Sequence, residues 1–166
     1  RYRQQDAVLY GTEVMLKYQP ALFKGLRISA SYEALVGKLI GGEYLPYMPA
    51  RKLKPEVRYE REFDRQVSGY AFMNNEFVFT QNLVNPLEQE TPAYQLFNAG
   101  AGVTLHHHKT GYQIYVTANN LLNEAYFDHL SRLKTFGLFN IGRDISIHIK
   151  IKLFNNLKQN KNEKTN

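Results

Sequence analysis

GRDISIHIKIKLF, Gly142 to Phe154, is the stretch whose reading decides the fold. Ile145, Ile147, Ile149, Ile151 and Leu153 alternate with Ser146, His148, Lys150 and Lys152. Successive side chains of an extended strand point to opposite faces. The segment therefore has one aliphatic face and one polar, cationic face.

Similar two-faced segments recur upstream. Ala7 to Gln19 sets Val8, Tyr10, Thr12, Val14, Leu16 and Tyr18 against Gly11, Glu13 and Lys17. After a short connection, Pro20 to Gly25, the run Leu26 to Gly37 sets Leu26, Ile28, Ala30, Tyr32, Ala34 and Val36 against Arg27, Ser29, Ser31 and Glu33. Each run has about the 9–11 residues that a tilted strand needs to cross a bilayer. Lys38 to Tyr44, with Gly41-Gly42, reads as a loop. Leu45 to Arg61 is less regular: Pro46, Pro49 and Pro55 cannot donate ladder hydrogen bonds, so its first half is expected to be irregular. A charged turn, Glu62 to Gln66, leads into a fourth strand, Val67 to Gln81, and a polar loop, Asn82 to Pro92. Ala93 to His106 returns with Phe97, Ala99, Ala101, Val103 and Leu105 in phase. After the short His107 to Gly111, Tyr112 to Leu122 runs out, and a long loop, Asn123 to Asn140, precedes the final strand.

The expectation is about seven strands joined by alternately short and long connections. Sandwich strands are shorter, at ~5–6 residues, and a lone seven-stranded sheet exposes two long edges. The fold class expected is thus all-β, an antiparallel up-and-down transmembrane β-barrel, with lipid on one side of the wall and a wet lumen on the other. The chain is read as a fragment of about seven strands from a larger barrel. Residues 1–154 form barrel, and residues 155–166 form a polar, disordered tail.

Composition narrows the function. Net charge is +6, from 21 Lys+Arg against 15 Asp+Glu. The cations are dispersed along strands or gathered near the end, at Lys158, Lys161 and Lys164, without a compact patch, so no nucleic-acid partner is expected. Twelve Tyr and ten Phe fit the interfacial girdles of membrane barrels. Cysteine is absent, which excludes disulfides and thiol chemistry. No apolar run approaches the ~18–20 residues of a membrane-spanning helix. Arg1-Tyr2-Arg3 carries no initiator Met and no apolar leader follows, so the chain is expected to be a piece of something longer.

Several segments resemble the C-terminal third of TonB-dependent outer-membrane receptors, particularly those of Bacteroidetes-type bacteria. DAVLYGTEVMLKYQP (Asp6 to Pro20) is similar to the family's strand with a Gly-x-Glu core. LRISASYEAL (Leu26 to Leu35) followed by LPYMPARKLKPEVRYE (Leu45 to Glu60) is similar to its next two strands and their Pro-bearing loop. NNLLNEAYFDHLSRLK (Asn119 to Lys134) resembles its Asn-Leu-aromatic-Asn/Asp-x-x-Tyr segment, and GLFNIGRDISIHIKIKLF (Gly137 to Phe154) its closing Gly-Arg strand. The resemblance implies a barrel of about 22 strands around an N-terminal plug. It also implies outer-membrane lipid and TonB as partners, a Gram-negative outer membrane as location, and energised import of a scarce small molecule such as an iron-siderophore or other metal chelate. One departure stands out: the family closes on an aromatic residue in the lipid-facing phase, whereas here Leu153 holds that phase and Phe154 falls one residue later. A passive porin, or a soluble β-barrel or sandwich binding module, are the alternatives.

Candidate site residues lie in the last long loop. Asp128 and His129 could hold a metal complex, and Arg132 and Lys134 an anionic chelate. Arg143 is expected to pair with Glu13 or Glu33, and Asn119 and Asn120 to hydrogen-bond at a strand end. His106-His107-His108 reads as an ordinary polar turn, because three consecutive imidazoles on regular strand backbone cannot converge on one ion. No catalytic constellation and no resident cofactor or metal is expected.

Overall fold

The computed structural model describes residues 5–107 and 110–153. Seven strands follow in order: β1 (Ala7–Tyr18), β2 (Leu26–Leu39), β3 (Lys52–Glu62), β4 (Val67–Val78), β5 (Tyr94–His107), β6 (Thr110–Asn119) and β7 (Asp144–Leu153). They form one antiparallel sheet in sequence order, each strand bonded only to its chain neighbours, with β1 and β7 at the two edges. The expected strand count and antiparallel meander are both present. The expected tail, 155–166, lies outside the described residues, as do His108 and Phe154.

The first half of the expected third element, Leu45 to Arg61, is irregular, as its prolines suggested, and β3 begins only at Lys52. Pro46 and Pro49 keep the backbone out of the ladder, so residues 40–51 form an irregular connection. It is tied back by the Leu45 N–H, which donates to the Gly37 carbonyl at 2.9 Å. Pro55 sits within β3, at a place where the β3–β4 pairing lapses between Leu53 and Glu56. β4 stops at Val78, and Gln81 instead makes an isolated bridge to Thr91. The last connection contains an unexpected 3-10 helix, Arg132–Phe136, capped by the Ser131 hydroxyl and closed by Gly137 at φ 68°.

Ladder partners share a face, so one row can be followed across the whole sheet. It runs Tyr18, Ile28, Val57, Met73, Ala99, Ala118, Ile145. All the strand residues in this phase make one apolar face that contains no Asp or Glu. It stands uncovered: Leu16 is 67% exposed, Ile149 72% and Ile147 73%. Water contact at such a side chain forgoes roughly 1.5–3 kcal/mol of burial each. The only buried apolar residues described are Ala50, Val78 and Tyr94, a small cluster at one end of the sheet with Leu96 and Tyr126 against it.

The opposite face is mostly polar, and part of it is internally paired. Arg58 bonds Glu60 at 2.6 Å, Lys52 meets Glu76 at 3.3 Å, and Arg27 approaches Glu60 at 4.0 Å. Arg58 also lies 4.2 Å over the Tyr70 ring. Gly100 and Gly102 leave room for that aromatic layer. A Cβ on Gly100 would stand 2.5 Å from Phe72, and one on Gly102 2.6 Å from Tyr115 and 2.8 Å from Tyr70.

Candidate functional site

Alternation of strand direction sends the long connections, 40–51, 79–93 and 120–143, to one end of the sheet. The short ones, 19–25 and 63–66, lie at the other, as do the end of β5 and the start of β6. The long connections are not independent loops; buried polar side chains join them.

A chain of amides anchors the last one. Asn98 on β5 donates to Asn74 on β4 at 2.9 Å, and its carbonyl oxygen accepts the Asn120 N–H at 2.9 Å. Asn120 adopts φ 48°, which Asn tolerates better than most residues. Its side chain then donates to the Glu124 carbonyl and accepts the Glu124 N–H. Asn123, at φ 56°, accepts the Arg143 N–H at 3.0 Å and so ties the start of the connection to its end. The expectation for Asn120 as a hydrogen-bonder at a strand end is met.

The other two connections meet at Glu88 and Gln81. Glu88 accepts the Tyr47 N–H at 2.9 Å, and Gln81 donates to the Met48 carbonyl at 2.8 Å. Asn85 donates to the Tyr44 carbonyl at 2.9 Å. The three connections meet at Glu88, whose carboxylate accepts the Tyr47 N–H and faces His129, which is 5% exposed. Its Nδ1 lies 2.8 Å from Thr91 Oγ1 and 3.3 Å from Lys134 Nζ, while Nε2 stands 3.8 Å from a Glu88 oxygen without a hydrogen bond. An ammonium can only donate, so Nδ1 is the accepting nitrogen and the neutral ring carries its proton on Nε2, facing Glu88. Burial is the main force holding the imidazole below its usual pKa, and Lys134 adds to it; Glu88 and Asp128 pull the other way. Lys134 also donates to the Gln89 carbonyl at 2.9 Å and to Thr91 at 3.3 Å.

The four candidate residues are therefore placed differently. His129 and Lys134 meet in one cluster. Asp128 turns toward β5, accepting the Tyr94 hydroxyl at 3.2 Å and the Leu130 N–H at 2.9 Å. Burial, then the Asp128 charge, raises the Tyr126 hydroxyl beside it. Arg132 is exposed on the 3-10 helix. Arg143 stands before β7, at the opposite edge from Glu13 and Glu33, and among the described residues pairs with neither. His106 and His107 pair with Gly111 and Thr110 and, as neighbours on one strand, face opposite ways. Among the described residues no three His, Cys, Asp or Glu side chains are grouped to hold a metal. Glu88, Thr91 and Tyr94, partners that complete the site, were not singled out from sequence. The only hint was the density of amides and acids in 81–90, which reads equally well as a solvated loop.

No family model matches the chain.

Proposed function

We propose that this chain is part of the wall of an outer-membrane β-barrel belonging to a TonB-dependent receptor of a Gram-negative bacterium. The receptor imports a scarce small molecule, most simply an iron-siderophore or other metal chelate. The apolar face meets lipid, the polar face lines the lumen, and the three joined connections stand on the outer side, where Arg132 and the rim of the His129 cluster meet ligand. TonB drives the plug of such a receptor, so the wall's part is passive.

The observation that supports this best is the slant of the apolar row. It leaves β1 at its last residue, Tyr18, beside the short connections, and reaches β7 at Ile145, beside the long ones. Six ladders at ~4.8 Å span about 29 Å, while the row slides about eight to ten residues, ~26–33 Å, along the strands. The implied tilt is about 42–49°, close to the ~35–45° of strands that cross a bilayer in closed barrels. Strand lengths of 10 to 14 residues fit the same geometry.

This chain has no cysteine of its own, so each introduced thiol is read against the parent protein as background. In the complete protein in intact cells, a cysteine at Ile147 should resist aqueous maleimide. One at Leu87, 94% exposed on a long connection, should react from outside, and one at Leu22, on a short connection, only after the membrane is opened. Equal reactivity of all three would overturn the wall reading. Uptake of a labelled ferric siderophore should collapse when TonB is deleted; uptake that persists points to a passive porin instead.

A further inference from the structure

The charges on the apolar face are distributed unlike those on the polar face. On the polar face cations run along the strands, and three of them, Arg27, Arg58 and Lys52, lie within ion-pair distance of a glutamate. Within the strands the apolar face carries no carboxylate, and Asp6, which continues β1 in the same phase, lies at its long-connection margin. Its cations sit at its two margins and rest on aromatic rings. Arg51 precedes β3 and continues its ladder, since the Phe79 N–H donates to the Arg51 carbonyl at 2.9 Å. Its guanidinium lies 5.8 Å from the centre of the Phe79 ring. At the other end of the same strand Arg61 pairs in register with Gly69, and its guanidinium lies 5.8 Å from the Phe63 ring. Both arginines are exposed, and neither has an ion-pair partner among the described residues. Lys38, over Tyr44 at 4.9 Å, repeats the arrangement at the long-connection margin.

Spacing gives these margins a meaning. Arg51 and Arg61 are ten residues apart in the same phase of one strand, ~33 Å along it and about 23 Å along the normal to a wall tilted by ~45°. That is close to the ~25 Å height of the apolar band of an outer-membrane barrel. A guanidinium on a ring at each edge of such a band lies at headgroup level, where a fork of donors matches phosphate oxygens.

We propose that Arg51 and Arg61 bind the phosphate groups of lipid headgroups in opposite leaflets and together set the depth at which this wall sits in the bilayer. The inference rests on the wall reading above. Phe79 and Phe63 hold each guanidinium at its margin through cation–π contact, leaving the donors free for phosphate.

The test uses the complete receptor with one cysteine at position 147 carrying an environment-sensitive fluorophore, in phosphatidylglycerol-containing vesicles with lipids brominated at graded depths. In the parent protein the label should be quenched most by bromines near mid-bilayer. R51Q and R61Q should shift the depth of maximal quenching in opposite directions, while R51K and R61K should retain most of the parent depth. In phosphate-free digalactosyl lipid, parent and Gln variants should coincide. Identical depth profiles for the parent, R51Q and R61Q in phospholipid would overturn the proposal while leaving the wall in place. Differences that persist unchanged in the galactolipid would overturn phosphate as the ligand. A label unquenched at every depth in the parent would instead overturn the wall reading itself, and this proposal with it.

Discussion

Replacing Ile147 by Arg separates a lipid-facing wall from a sheet that stands in water. Ile147 is 73% exposed and lies near the middle of β7, paired with Val116 on β6. In water, a substitution at so open a position stays within about 0.5 kcal/mol of neutral. At mid-bilayer depth an arginine costs ~2–4 kcal/mol, which is about a 30- to 1000-fold loss in the folding equilibrium. Ser146→Arg provides the control, since Ser146 is on the polar face beside Asp144, whose carboxylate accepts its hydroxyl at 3.1 Å. That change should cost less than about 0.5 kcal/mol. Ile151→Arg, closer to the short connections, should cost less than Ile147→Arg, at roughly 0–1 kcal/mol. Urea titration of the complete protein in vesicles, followed by the faster migration of the folded form in unheated gels, gives all three values. Equal stability of the Ile147 and Ser146 variants would refute lipid contact along β7.

Three further outcomes follow from the connections and the polar face. Asn98→Ala leaves Asn74 and the Asn120 N–H without their partner, which should cost about 1–3 kcal/mol; hydrogen exchange should accelerate at 120–124 and stay unchanged in β1 and β2. Because His129 is held below its ordinary pKa, the opened state takes up a proton first as the pH falls. The cluster is at full strength above about pH 6.5 and weakens below it, toward the folded-state pKa. Limited proteolysis of 120–143 should therefore rise between about pH 7 and about pH 5, and His129→Gln should flatten that rise; a parent profile that is already flat would exclude the mechanism. Gly102→Val drives a side chain into Tyr70 and Tyr115, and should lower stability by about 1–3 kcal/mol in the same urea assay.

Strands were legible in the sequence because a two-residue period is a local property. The start of β1 and of β2 could be read from single runs, and the ends of most strands within a residue or two. β3 was harder, because Pro46 and Pro49 disturb the period that begins cleanly only at Lys52. The site was legible in part. Asp128, His129 and Lys134 stand close together in the chain, and their residue types drew attention to them. Their partners did not, since Thr91 is 38 residues from His129 and the bond between them exists only once two connections fold over the same end of the sheet. The 3-10 helix at Arg132 was hidden for a related reason: one and a half turns leave no periodicity to read. The margins at Arg51 and Arg61 needed the register of β3 with β4, because only pairing shows that Phe79 comes level with Arg51.

Strict nearest-neighbour pairing has a consequence for how such a sheet is made and altered. Each strand needs only the one before it as a template, so the sheet can be laid down one hairpin at a time from either edge, with little chain to close at the tight turn 63–66. Loss or duplication of a complete hairpin would keep every later residue on its side of the wall, whereas loss of a single strand would reverse the direction of all that follow. Two strands with their turn are therefore the smallest unit by which this architecture can grow or shrink and still keep its long connections together at one end.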